Sequence, residues 1–384
     1  MKEVSIVQNK VFGHDWIILR ERLGDHLCKW YSMASPKQKK ENEIDTIALT
    51  TLPKYVEKVT DILSRWKVIP RYYVWWSKQW ATDLIVSRKI ASDESQIVFC
   101  LAAHKHTINR CVKKGKKVVV FAANSEPIRE CQRISADYKK FGIKNMHIYG
   151  NKKYETLLAD TTHKAYRVIN ITEVSQKTYA DAGYDMSKSH IIPDTGCNFP
   201  RQVTVPEGER KKAFVTTAFH SFIKGTHRLL LAWKKAGIKD IPLYVVGGLC
   251  EDIEEFVRKY GPFENVSFEG ARYDLKDWYK QFDAVGITLS LSEGSGRVTP
   301  ELMTFGFPMI VSKDATCDLV KDGYNGTVVE ATDEDAIVRA LRYYAEDWTR
   351  VDALRENVLA SVGSRTCEEF NTEIADYLVS LINE

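Results

Sequence analysis

Between Ser292 and Pro308 the chain reads Ser-Glu-Gly-Ser-Gly-Arg-Val-Thr-Pro-Glu-Leu-Met-Thr-Phe-Gly-Phe-Pro. Two carboxylates, Glu293 and Glu301, flank a loop containing Gly294 and Gly296. Carboxylates accept hydrogen bonds from sugar hydroxyls, in pairs where the geometry allows. Glycines lack a Cβ and let a backbone approach a ligand closely. The stretch follows an apolar run that reads as a strand and opens a helix, whose free N-terminal amides favour an anion. Pro300 suits the first helical turn, where its missing N–H costs nothing. These residue types at this spacing predict a site for a phosphorylated, sugar-like ligand. On the residues alone, an ordinary strand–helix turn with two solvated glutamates is the plainer alternative.

Other residues invite chemistry less directly. His14, within Gly13-His14-Asp15, follows the first strand, and His104 and His106 follow a later one. The segment Trp66–Trp80 interleaves aromatic and basic side chains and holds four of the nine tryptophans. Such a mixture anchors in a membrane interface, stacks on bases, or simply fills a core. Lys113, Lys114, Lys116 and Lys117 form a basic cluster that reads as a solvated turn or a contact for a phosphate-bearing acceptor. The eight cysteines include no CxxC pair and no histidine at zinc-finger spacing, so they read as reduced, mostly buried thiols.

What must position these residues is an α/β scaffold. The chain has 384 residues, 44% apolar and 28% charged, which is globular composition and enough for two domains. No run approaches the roughly 18 apolar residues of a membrane span, and the N-terminus reads as lacking a secretory signal. Short apolar runs alternate with amphipathic stretches, as βα units do. Strands are expected at Val4–Gln8, Thr46–Thr50, Ile97–Ala102, Lys117–Ala122, Met146–Tyr149 and Tyr166–Ile171, with helices at Trp16–Trp30 and Glu126–Tyr138. The pattern breaks after Ile191-Ile192-Pro193 and restarts with strands at Ala213–Ala218, Pro242–Val246, Val266–Glu269, Ala284–Leu291 and Pro308–Val311. Helices are expected at Thr226–Ala236, Glu251–Tyr260, from about Thr299, at Asp333–Tyr344 and from Val351 to the end. The organisation expected is a first domain over 1–195, a linker over 196–212, a second domain over 213–360 and a C-terminal helix over 361–384 that packs back on the first domain. Residues 1–200 carry 33 Lys and Arg against 21 Asp and Glu, and the remainder is acidic. A basic first half facing an anionic partner follows from that split.

The spacing Glu293–x7–Glu301, with Gly294 and Gly296 after the first glutamate and Gly306-x-Pro308 after the second, resembles the retaining glycosyltransferases of family 4. Lys224-Gly225 resembles that family's KG segment, Tyr244–Gly248 its Gly-ended strand, and Asp322-Gly323-x-Asn325-Gly326 its dG.nG turn. Val266–Gly270 and Trp278–Asp283 resemble the stretch leading to the sugar site. The resemblance covers about residues 165–345 and implies a GT-B fold, two Rossmann-like αβα domains facing each other across a cleft. It implies that Glu293 holds the donor sugar and that Lys224 neutralises the diphosphate. Gly294, Ser295, Gly296, Arg297 and Val298 would hold sugar and diphosphate, Glu301 the ribose, and Arg272 and Tyr273 the base. Phe219 stands where the family usually has an arginine, and Arg297 is the candidate to replace that charge. No family histidine ends the Lys117–Ala122 strand, so Gly13, His14 and Asp15 are the candidates on the first-domain side of the cleft.

The resemblance therefore implies a retaining, metal-independent, hexosyltransferase-like enzyme. It would move a sugar from a UDP- or GDP-sugar to a hydroxyl of a glycan or glycolipid, with no cofactor beyond that co-substrate. A cytoplasmic protein in glycan biosynthesis, touching the inner face of an anionic membrane, fits the basic half. A transferase acting on DNA bases and a sugar-nucleotide-binding relative with impaired catalysis are the alternatives.

Overall fold

The computed structural model describes residues 2–8, 13–32, 51–145, 147–194, 208, 210–363 and 365–384. The first half is built on β1 (Val4–Gln8), α1 (Gly13–Leu23), β2 (Leu27–Ser32), α2 (Thr51–Arg65), α3 (Tyr72–Ile90), β3 (Ile97–Leu101) and α4 (Lys105–Lys113). It continues through β4 (Lys117–Ala122), α5 (Pro127–Phe141), α6 (Lys152–His163), β5 (Arg167–Asn170), α7 (Glu173–Asp181) and β6 (Ser189–Ile191). The second half runs β7 (Lys211–Thr217), α8 (Thr226–Ala236), β8 (Leu243–Val246), α9 (Glu251–Tyr260), β9 (Val266–Gly270), α10 (Leu275–Tyr279) and β10 (Phe282–Thr288). Then come α11 (Val298–Met303), β11 (Met309–Ser312), β12 (Gly326–Val329), α12 (Glu334–Glu346), α13 (Thr349–Ser361) and α14 (Cys367–Ser380).

The strands form two six-stranded sheets of parallel pairs, ordered β2-β1-β3-β4-β5-β6 and β12-β11-β10-β7-β8-β9. Parallel strands buried on both faces explain the nearly continuous apolar runs of the sequence. In each sheet the strand order reverses once, between β1 and β3 and between β7 and β10. Such reversals open a crevice at the carboxyl ends of the strands, where ligands bind.

Four expectations meet a different outcome. The Trp16–Trp30 stretch is not one helix: α1 ends at Leu23, Gly24 takes a left-handed φ of 49°, and the chain turns into edge strand β2. Residues 147–150 form bends and a turn rather than a strand. The tail from Val351 is two helices, because Thr366 caps a new one, accepting the Glu369 N–H while the Glu369 carboxylate takes the Thr366 N–H. The aromatics after Trp66 are not a core: Trp66, Trp75 and Trp80 are exposed. The expected strand Thr46–Thr50 and nearly all of the 196–212 linker lie outside the described residues.

Two helices tie the halves together. On α14, Phe370, Ile374, Ala375 and Leu378 pack with Val4, Ile6, Leu19 and Leu23 of the first half. On α5, Ile134, Tyr138 and Phe141 enter the core of the second half beside Phe222, Trp233 and Phe256. Helix α5 is set locally by Glu126, whose carboxylate accepts the Arg129 N–H at 2.7 Å, by Pro127 in its first turn and by left-handed Gly142 at its end. Asp137 on α5 is buried against α8, accepting from His227 Nε2 at 2.7 Å and from Arg228 Nε at 2.8 Å.

Candidate active site

A cavity of about 310 Å³ opens where β7 and β10 part. It is lined by Thr216–Phe219 at the end of β7, by Thr288 and Ser290 after β10, and by Lys224, Glu293 and Ser295–Thr299. Glu293 Oε2 accepts from Lys224 Nζ at 2.5 Å and from the Ser290 hydroxyl at 3.0 Å. Burial alone would lower the Lys224 pKa, but the Glu293 charge reverses this and holds it above the usual lysine value. Lys224 owes its place to Gly225, which turns the chain at φ 68° where a Cβ would lie 1.9 Å from the Leu289 carbonyl oxygen. A paired lysine and carboxylate, with a loop opening helix α11, provide a cation for phosphate and an acceptor for hydroxyls.

The structure thus brings together Lys224, Glu293, Ser295, Gly296, Arg297 and Val298. Arg297 is exposed at the rim, as a second cation must be to reach an entering phosphate. Phe219 lines the same cavity, and His220 supplies no charge in its place. Its ring is buried between the Thr226 hydroxyl and the Val246 carbonyl, and burial pushes its pKa down to about 4. Glu301 is buried on α11 and is not among the lining residues. Nor are Arg272 and Tyr273. Arg272 is held by Glu269 and Asp274 over the Trp278 ring, and Tyr273 is fully exposed. Gly13, His14 and Asp15 open α1, and their side chains lie outside the described residues.

Gly294 has a different reason from the one its sequence suggests. A Cβ there would lie 1.9 Å from the Ala123 carbonyl oxygen of the first half, and its own carbonyl accepts from the Thr172 hydroxyl at 2.8 Å. The glycine admits the first half's chain at Ala123. Around it, the Ser125 hydroxyl donates to the Glu293 carbonyl at 2.9 Å and the Ser292 hydroxyl to Glu130 at 2.7 Å. The first half therefore fixes the loop that carries Glu293.

Sequence reasoning missed Glu130, buried against this loop, and Glu155, buried near Glu130. Burial, with the nearby Glu293 charge, raises the Glu130 pKa to about 7; burial, with Glu130, raises that of Glu155 to about 9. Each is a single glutamate in a helix, and nothing local distinguishes it from a solvated one. The lysine cluster also divides: Lys116 pairs with Asp93 at 2.5 Å, and Lys117 donates to the Leu381 carbonyl at 2.8 Å. These two lysines are structural. His104 is a buried residue at the start of α4. Among the described residues one group could hold a metal, His147, Cys250 and Asp252. Its Asp252 already accepts from the Tyr138 hydroxyl and the Phe222 N–H.

The family model of glycosyl transferases group 1 matches residues 198–359. Over 125 residues the chain is 30% identical to the lipopolysaccharide core biosynthesis mannosyltransferase LpsB of Rhizobium meliloti, a match spanning about a third of each protein (32% and 34%). Among solved structures, sucrose-phosphate synthase from Thermosynechococcus elongatus superposes over 100% of both chains with a TM-score of 0.69 at 15% identity. Anabaena Alr3699/HepE in complex with UDP-glucose covers 98% of this chain and 99% of that one, at a TM-score of 0.65 and 16% identity. WaaG, a glycosyltransferase involved in lipopolysaccharide biosynthesis, covers the same shares at 0.64 and 15%. Two Rossmann-like halves meeting at the Glu293 loop are the GT-B fold, and within it residues 198–359 are the part that matches the glycosyl transferases group 1 family model.

Proposed function

We propose that the protein transfers a hexosyl group, with retention, from a nucleoside-diphosphate sugar to a hydroxyl of a glycan or glycolipid. The observation that carries this is the single cavity at the β7–β10 crevice shared by Lys224, Glu293 and Ser295–Val298. Lys224, Arg297 and the loop amides take the diphosphate, and Glu293 takes the sugar hydroxyls. The sugar's C1–O bond to the β-phosphate breaks as C1 bonds to the acceptor oxygen on the same face, and the acceptor's proton leaves on the departing phosphate. Negative charge grows on that phosphate in the transition state, where a fixed lysine and backbone dipoles stabilise it. The cationic work at the diphosphate thus rests on side chains in this reading, which is metal-independent.

UDP is favoured as the nucleotide because a structure of this fold holds UDP-glucose and others hold UDP. The mannosyltransferase and lipopolysaccharide relatives support a surface glycan as the acceptor. Peripheral contact with an anionic membrane is supported by α2: Leu52, Tyr55, Val59 and Ile62 lie exposed at helical spacing on one face, with Trp66 just beyond, and Lys54, Lys58 and Arg65 are exposed on the same helix.

The decisive experiment is Glu293→Gln. If Glu293 holds the sugar more tightly in the transition state, kcat falls about 10²-fold while UDP affinity changes little. Near-wild-type turnover refutes the assignment. Absence of any nucleotide-sugar hydrolysis or transfer by the wild type, with UDP bound, returns the impaired-catalysis alternative.

A further inference from the structure

A second cavity, of about 320 Å³, lies at the carboxyl ends of β3 and β4 in the first half. Its walls include the aromatic side chains of Trp75, Phe121, Tyr149 and Tyr154, and among the described residues its only ionisable groups of ordinary pH range are Glu130 and Glu155. Among the described residues, no lysine, arginine or histidine lines it. It adjoins the donor cavity through its own lining residues: Ser125 and Glu130 hold the Glu293 carbonyl and the Ser292 hydroxyl.

Glu155 is the unexplained group. Its side chain is 0% exposed, it lines the cavity, and beyond a loose approach of the Gly150 backbone N–H neither carboxyl oxygen has a hydrogen-bond partner among the described residues. A buried carboxyl without donors is costly. It is kept where an entering molecule supplies the donors. Sugar hydroxyls do so, an ammonium group does so more strongly, and the C–H faces of a pyranose suit aromatic walls. A carboxylate or phosphate brings only acceptors. A protonated Glu155 offers it one O–H, set against the charges of Glu126 and Glu130.

We infer that this cavity selects the acceptor by charge, admitting a ring rich in hydroxyl or ammonium donors and excluding an anionic ring, with Glu155 as the specificity-determining residue. The inference rests on the glycosyl-transfer reading above and adds the substrate class that reading leaves open. It also separates the acceptor ring from any lipid phosphate, which must stay outside the cavity, on the basic surface.

The test is calorimetric titration of the full chain, saturated with UDP, with three sets of methyl hexosides in the gluco, galacto and manno series. The sets are neutral rings, 2-amino rings and uronates. At least one neutral or amino ring binds, and its uronate binds at least tenfold more weakly. Glu155→Gln, which cannot ionise and replaces the single O–H with two amide N–H donors, narrows that ratio at least threefold, mainly by strengthening the uronate. A uronate that binds as tightly as its neutral counterpart overturns the inference, as does an unchanged ratio in the variant. Should the variant not fold, the wild-type ratio decides alone. If UDP binds but none of the rings does, the cavity assignment falls and the donor reading stands. If UDP does not bind, the reading beneath both falls.

Discussion

Removing the Asp137 carboxylate should uncouple the two halves. Asp137 sits on α5 of the first half, yet its oxygens are taken by His227 Nε2 and by two nitrogens of Arg228, both on α8 of the second half. All three side chains are at most 5% exposed. His227 is kept neutral by burial, against the pull of Asp137, so the charged pair is Asp137 with Arg228. Burial raises the pKa of Asp137, but the Arg228 and His227 hydrogen bonds outweigh it and bring the value down from 3.8 to about 2. At 1.36 kcal/mol per unit, that shift corresponds to roughly 2–3 kcal/mol of stability at neutral pH. Asp137→Ala costs more, about 3–5 kcal/mol, because it also strands the buried Arg228 charge. The pKa is depressed in the folded state, so the contribution is fully present above pH 3.8 and is lost as pH falls through about 2. Urea unfolding of wild type and variant at pH 7 and pH 2.5 measures this. The gap should be several kcal/mol at pH 7 and clearly smaller at pH 2.5, with separate transitions for the two halves in the variant. A cost under about 1 kcal/mol at pH 7, or an equal gap at both pH values, would refute the reasoning.

Three further outcomes follow from the geometry. Lys224→Ala should weaken UDP binding by about 1.5–3 kcal/mol, as for other charged hydrogen bonds; Arg297→Ala should do the same if it is the second cation, and calorimetry with UDP separates the two. Glu155 carries a pKa raised from 4.5 to about 9, so the folded state holds a proton that the unfolded state has lost, and this group's stability falls as pH rises across that window. Glu155→Gln should therefore gain on the wild type between pH 5.5 and 7.5, by up to ~1.4 kcal/mol per pH unit, in denaturant titrations; a constant difference is the contrary result. Changing Lys54 and Lys58 to Gln together with Val59→Asp should abolish salt-sensitive sedimentation with anionic vesicles while leaving nucleotide-sugar hydrolysis intact, since no described side chain of α2 lines the Lys224–Glu293 cavity. Vesicle binding that survives these changes places the membrane contact elsewhere.

Much of the site was written in local sequence. The Glu293–x7–Glu301 spacing, Lys224-Gly225 and the apolar strand runs are features of a few adjacent residues, and a strand–loop–helix turn needs no distant partner to be recognised. Where prediction failed, the deciding interaction was local but subtle or was not local at all. Gly24 ended α1 and sent the chain into β2, although the apolar spacing continued. The short run ending at Tyr149 had strand composition, yet residues 147–150 form bends and a turn.

The sequence by itself determined two parallel α/β layers, because alternating βα rhythm has few other packings, and it determined the strand–loop–helix turn that carries Glu293. Only the tertiary structure decided which glutamates matter outside that loop. Glu130 and Glu155 become unusual through burial and mutual proximity, and both depend on how α5 and α6 pack. It also decided that Gly294 serves the approach of Ala123 and that Lys116 and Lys117 are spent on structure. Desolvation and close approach are properties of pairs of atoms far apart in the chain, and no window of neighbouring residues contains them.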